Sequence, residues 1–307
     1  MKKTIFLLPL LALFAAALTA ACEQTDEEKE IEKYGTPLDV CGFGLDGSSL
    51  ALFSVSPSKQ VRFSRGNLQF QPSTGTWRFA EHQFDFAGNA NANVSAVCGD
   101  WIDLFGWATS GWDTAGTAYF PWSASIVATD YGPDATSNLN DDYAKADWAW
   151  RNTIVNGGMR SETWRTLTAS EWQYLLTGRP QSIFKQGAAT IATINGLVIL
   201  PDEWTTPPGL VFNEGFSGNI YFDFSGNNTY TYAEWSRMEA AGAIFLPAAG
   251  NREATTVLSA GQVGNYWSVS AAGEGKARYL VFGSDTMYVD NVYYRHFGFA
   301  VRPVKAR

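Results

Sequence analysis

The stretch Trp164-Arg-Thr-Leu-Thr-Ala-Ser-Glu-Trp-Gln-Tyr-Leu-Leu-Thr-Gly-Arg179 carries the clearest structural instruction in the chain. Thr168-Ala-Ser-Glu171 is a capping box: the threonine hydroxyl accepts from the N–H three residues on, and the glutamate reaches back to the threonine N–H. Trp172, Leu175 and Leu176 then fall on one face of a helix, and Gly178 stops it. Thr231-Tyr-Ala-Glu234 repeats the box, with Trp235 and Met238 as the apolar face and Gly242 as the stop. Both helices open Thr-x-x-Glu-Trp, which points to similar docking onto one sheet.

Working outward, residues 51–56 and 59–64 alternate apolar and polar side chains around Pro57 and read as a strand pair. Residues 66–71 and 76–80 repeat the pattern around the turn signal Ser73-Thr74-Gly75. Further strands are expected at 197–200, 243–246, 265–268, 278–282 and 298–304. Residues 87–163 read as long irregular loops rich in Gly, Asn, Asp and Trp. Loops this long are functional or heavily cross-packed, and Trp101, Trp107, Trp112, Trp122, Trp148 and Trp150 are expected to pack them from inside. Strands, two capped helices and then short strands make an α+β class, with a small twisted, mostly antiparallel sheet.

Composition narrows the function. Only 17% of the 307 residues are charged, against 46% hydrophobic and 15% aromatic, which argues against disorder and a coiled coil. A net charge of −8 argues against a nucleic-acid partner, because phosphate binding needs a basic face. Two histidines leave little room for a multi-His metal centre or His-dependent acid–base chemistry. Neither G-x-S-x-G nor H-E-x-x-H occurs, and no carboxylates form a distinctive pair. His82 and His296 read as surface or packing residues.

Residues 1–21 read as a signal peptide: Lys2 and Lys3, an apolar run, then small residues before Cys22. The run is short for a transmembrane span. Removing it takes away two lysines and no acids, leaving a charge of −10. Residues 22–48 read as a tether whose start is acidic: positions 23–33 hold six acids against two lysines. Residues 49–307 then form one domain. Cys41 and Cys98 suit a disulfide outside the cytoplasm, or two buried thiols.

Four segments, taken in order, resemble a known family. They are 164–179, then Phe245-Leu-Pro-Ala-Ala-Gly-Asn-Arg252, Gly264-Asn-Tyr-Trp-Ser268 and Gly298-Phe-Ala-Val-Arg-Pro-Val304. The chain resembles the C-type-lectin-like, formylglycine-generating-enzyme-like (sulfatase-modifying-factor) domains of Bacteroidetes surface lipoproteins. Leu18-Thr-Ala-Ala-Cys22 is similar to a lipobox, with Leu18 one residue further from the cysteine than usual. The resemblance implies lipidation at Cys22, an outer-membrane, cell-surface location, and contact with the membrane through the lipid. It also implies a C-type-lectin-like fold with long Trp/Gly-rich loops.

Formylglycine-generating enzymes hold copper with a cysteine pair near the C-terminus. Here no cysteine follows Cys98, so the chain is expected to be a non-catalytic binder of a protein or glycan. Some relatives, the variable proteins of diversity-generating retroelements, vary this surface on a fixed scaffold. Ala277, Leu280, Phe282, Arg295, Gly298, Val301 and Arg302 suit such a scaffold. The candidate ligand residues between them are Glu274, Tyr279, Ser284, Asp285, Tyr288, Asp290, Asn291, Tyr293, Tyr294 and His296, the amphipathic and adaptable chemistry of a paratope. Asp134, Asn140, Asp141 and Asp142 offer oxygens for calcium; otherwise no cofactor is expected. Two other readings stay open: a structural or adhesive tip subunit of a surface fibre, and an enzyme on this scaffold lacking the catalytic cysteines. Thr114 and Thr286 sit in Asp-Thr-apolar triplets similar to Bacteroidetes O-glycosylation acceptors.

Overall fold

Side chains that alternate between two faces along 264–267 and 276–282 build the centre of the molecule. Strands β11 (Gly264–Ala271), β12 (Lys276–Phe282) and β13 (Met287–Tyr294) form an antiparallel sheet in that order. Ala277, Tyr279 and Val281 enter one hydrophobic core with Trp267, while Leu280 and Phe282 enter a second with Tyr266. The period of two thus places a core on each face of one sheet. These coordinates come from a computed structural model that describes residues 42–217 and 222–307.

The class is mixed α/β, with sheet predominating and few helices. Strands β1 (Phe53–Ser56), β2 (Lys59–Phe63) and β14 (Val304–Ala306) form one sheet, and β3 (Leu68–Gln71) pairs with β4 (Thr76–Phe79). A four-stranded sheet has the order β7-β5-β6-β8, from β5 (Gln186–Ile191), β6 (Ile194–Ile199), β7 (Asn228–Tyr230) and β8 (Ile244–Pro247). Within it only β5 and β7 run parallel. A small hairpin joins β9 (Asn251–Glu253) to β10 (Thr256–Leu258).

Helices α1 (Trp148–Arg151), α2 (Ala169–Gln173) and α3 (Tyr232–Ala240) join these strands, with short 3-10 turns between. Both capping boxes form: Thr168 Oγ1 accepts from the Glu171 N–H at 3.1 Å, and Thr231 Oγ1 from that of Glu234 at 3.2 Å. Gly242 closes α3 at φ +99°, as its sequence predicts. The other helix differs from expectation. It is α-helical only over Ala169–Gln173 and widens to a π turn over Tyr174–Gly178. The Arg179 N–H bonds the Tyr174 carbonyl at 2.7 Å, five residues back. The Arg179 side chain is tied to the Leu200 carbonyl and Asp202.

Residues 298–304 are not one strand. Gly298, Phe299 and Ala300 make isolated bridges, and regular pairing starts only at Val304. Pro303 has no N–H for a ladder, and Arg302 turns inward to Gln83. Residues 42–48, placed in the tether by sequence, pack onto the fold: Phe43 bridges Ser49, Ser48 bridges Ser64, and Asp46 meets Lys305. Cys22 and Cys41 lie outside the described residues, and Cys98 has no disulfide partner among the described residues. No helix among the described residues is long and apolar enough to cross a membrane.

The long loops are held by buried donors rather than by ladders. Trp107 donates to the Ser268 carbonyl at 2.9 Å and Trp148 to Thr109 Oγ1 at 3.0 Å. Arg295 donates to the carbonyls of Tyr131, Asp134 and Ala135, and its guanidinium lies 4.2 Å from the Trp107 ring centroid. Trp112 and Trp122 pack partly buried against the core. Trp101 and Trp150 are likewise half-buried, Trp101 beneath Arg78.

Candidate functional site

Strand β13 is an edge strand, bonded only to β12 among the described residues. Its register against β12 fixes where each candidate residue points. Tyr293 lies opposite Ala277, Asn291 opposite Tyr279 and Tyr288 opposite Val281, so these three share the face of the tryptophan-rich core. Tyr294 lies opposite Lys276 and Val292 opposite Arg278, on the other face. Between Tyr288 and Asn291 the register slips by one residue, a bulge that puts both Val289 and Asp290 on that second face. There Val289 packs on the second core, and Asp290 pairs with Arg278 at 2.6 Å.

The ten sequence candidates are therefore not one surface. Glu274, Asp285, Tyr288, Asp290, Asn291, Tyr293 and Tyr294 are exposed. Tyr279, Ser284 and His296 are buried, against the expectation that they face solvent. Tyr279 lies on the inner, fully paired strand, and its hydroxyl accepts from Asn291 Nδ2 at 3.1 Å. The Ser284 carbonyl accepts from Asn227 in the hairpin turn. His296 is covered by Tyr294 and Phe297, with ring centroids 5.9 and 4.6 Å away; burial lowers its pKa. Glu274 and Asp285 mark opposite ends of the hairpin, about 25 Å apart along an eight-residue strand. All seven scaffold residues, Ala277 to Arg302, are buried.

One face of β13 is coherent. Tyr288, Asn291 and Tyr293 are exposed on it, and Tyr293 is held from behind by Phe297 at 4.6 Å and Tyr279 at 6.2 Å. Tyr279 in turn stacks on Phe299 at 4.7 Å, and Phe299 on Trp267 at 4.3 Å. The aromatic face is thus rigid and leads straight into the core.

The calcium candidates are not gathered. Asp134 accepts from the N–H groups of Thr136 and Ser137 and from the Ser137 hydroxyl, which pulls its carboxyl down to about 2. No group of three or more His, Cys, Asp or Glu residues among the described residues could hold a metal ion.

Sequence reasoning missed three buried carboxylates. Asp103 accepts from the Ala87 N–H and Asn91, Asp147 from the Ala149 N–H and Thr166, and Glu239 from Gln83. Burial raises Asp103 and Asp147 to about 6 and Glu239 to about 7. Each sits among structural partners, and the hydroxyl beside Asp147 is that of Thr166, which donates to its carboxylate at 2.7 Å. Only the pairing of polar residues with apolar neighbours hinted at them. No family model matches the chain, and neither a curated protein nor a solved structure matches it.

Proposed function

We propose that this protein is a surface-anchored lipoprotein that binds a macromolecular ligand, protein or glycan, through the exposed Tyr288, Asn291 and Tyr293 row of β13. The observation that carries the reading is the row Tyr288, Asn291 and Tyr293, exposed on an edge strand while every neighbour on β12 is buried or engaged. Exposed aromatic rings cost solvation, and a row of them beside a polar amide marks a contact surface. The row is flat: none of these side chains lines the clefts at the α2 side of the sheet. Flatness favours a large partner over a small substrate. The sheet-rich fold with two capping boxes and long cross-packed loops agrees with a C-type-lectin-like domain. The acidic segment after Cys22 agrees with a tether.

The test is a glycan-and-protein array probed with the full chain and with the double variant Tyr288→Ala/Tyr293→Ala. We expect the wild type to retain a partner that the variant binds at least about 10-fold more weakly, a loss of about 1.4 kcal/mol or more, at an unchanged melting temperature. Equal binding by the two proteins rejects this face. Chelation of calcium should leave binding unaltered. Labelled palmitate should enter the wild type and not Cys22→Ser.

A further inference from the structure

A second site lies away from the β13 aromatic row. Between the start of α2, the turn that opens at Asp141 and the start of β2 lies a cleft of about 360 Å³. That is at the small end of the roughly 300–1,000 Å³ of small-molecule sites. Its floor is finished. Arg165 is bound in bidentate fashion to Glu171 at 2.7 and 2.8 Å, and Asp147 is saturated by Thr166 and the Ala149 N–H.

The rim is unfinished. Asn140 precedes the 3-10 turn Asp141–Ala146, a position where Asn ordinarily caps the turn, yet its side chain makes no cap bond. Asp141 follows with φ +49°, an uncommon backbone state for a side-chain-bearing residue. Neither the Asp141 carboxylate nor the Lys59 ammonium has a partner among the described residues. Trp150 stands half-buried, its indole N–H without a partner among the described residues, two positions from the fully buried Trp148. Four side chains of four chemistries thus line one cleft with their hydrogen-bonding capacity unspent.

We propose that this cleft binds a neutral sugar ring at the end of a glycan. A pyranose has an apolar C–H face that suits the Trp150 ring, and hydroxyls that donate and accept at once. Asp141 supplies an acceptor, Lys59 and the Trp150 N–H supply donors, and Asn140 supplies both. An anionic ligand is disfavoured because Asp141 and Glu171 offset Lys59 and Arg165. The strained Asp141 is held where a ligand, rather than the fold, uses its carboxylate. The site does not depend on the β13 reading.

The test probes an array of neutral oligosaccharides and an array of uronate and sulfated oligosaccharides with the full chain. The variants are Trp150→Ala, Asp141→Asn and Tyr288→Ala/Tyr293→Ala. The expected result is retention of at least one neutral glycan by the wild type and by the β13 variant. Trp150→Ala and Asp141→Asn should each lose it by about 10-fold or more. Should Trp150→Ala lower the melting temperature, the solvent-facing pair Asp141→Asn and Lys59→Ala carries the test. The proposal is overturned if no neutral glycan is retained, if only anionic glycans are, or if the β13 variant alone abolishes binding. The last outcome would move the sugar to the tyrosine row.

Discussion

Trp148 and Trp150 stand on the same short helix with opposite fates. Trp148 is fully buried and donates to Thr109, whereas Trp150 is half-buried and lines the cleft. Truncating Trp148 leaves a large cavity and removes one bond to Thr109 Oγ1, which keeps its own bond to the Gly106 carbonyl, so Trp148→Ala should cost about 3–5 kcal/mol of stability. Trp150→Ala should stay within about 0.5 kcal/mol, because its ring fills no core. Urea denaturation of the two variants checks the contrast; equal losses would mean that Trp150 is a packing residue and would remove the platform from the cleft. Gly264 makes a related point. A Cβ there would lie 2.1 Å from the Phe282 ring across the strand pair. Gly264→Ala should therefore destabilise by about 1–3 kcal/mol through overpacking, seen as a lower urea midpoint at an unchanged slope.

At the scale of elements, the two capping boxes share a sequence pattern and differ in surroundings. Glu171 holds its own cap, accepting from the Thr168 N–H at 3.0 Å, and also clamps Arg165. Glu234 is half-buried, and its carboxylate accepts hydrogen bonds from Thr231. Glu171→Ala should cost about 1–3 kcal/mol, since it strands a charged partner. Glu234→Ala should cost about 0.5 kcal/mol. Thermal melts that rank them otherwise would show that the Arg165 clamp adds nothing. The boxes were legible because capping is local chemistry, and so were β2 and β4, whose alternation is unbroken, and β12, which ends in the apolar run Leu280-Val-Phe282. Strand β13 was not: Tyr288, Asp290, Asn291 and Tyr293 look like loop residues, and the bulge at Val289–Asp290 breaks the period that would have revealed a strand. For the same reason Tyr293 and Tyr294, adjacent in sequence, were assigned one surface although the pleat sends them to opposite faces. The cleft was half legible. Asn140 and Asp141 stood out as unspent oxygens, but Lys59, Arg165 and Trp150 join them only through long-range folding.

The whole molecule concentrates its electrostatic strain in a few buried acids, and this fixes the direction of its pH dependence. Asp103, Asp147 and Glu239 are raised by burial to about 6, 6 and 7, well above their unfolded values near 4. Each is neutral in the fold at a pH where the unfolded chain is already ionised. The stability they lend is fully present below their unfolded pKa and is lost as pH rises through about 6 to 7. Asp46, Asp134, Asp202, Asp223 and Glu234 are shifted the other way, mainly by hydrogen bonds from serine, threonine and Lys305 that outweigh desolvation where it opposes them. Their contribution is present above about pH 4 and lost below it. His296, lowered by burial, also opposes the trend: its contribution is present above about pH 6.5 and lost as pH falls through its folded value. Three buried acids outweigh one histidine that is only partly desolvated. The melting temperature should therefore climb by several degrees from about pH 8 to about pH 5 and turn over near pH 4. Glu239→Gln keeps an oxygen to accept from Gln83 while removing the titration. It should melt at or above the wild type near pH 8 and show a shallower slope. Scanning calorimetry at constant ionic strength decides the matter: a melting temperature flat between about pH 5 and 8, or a Glu239→Gln slope equal to the wild type's, would show that these acids do not control stability.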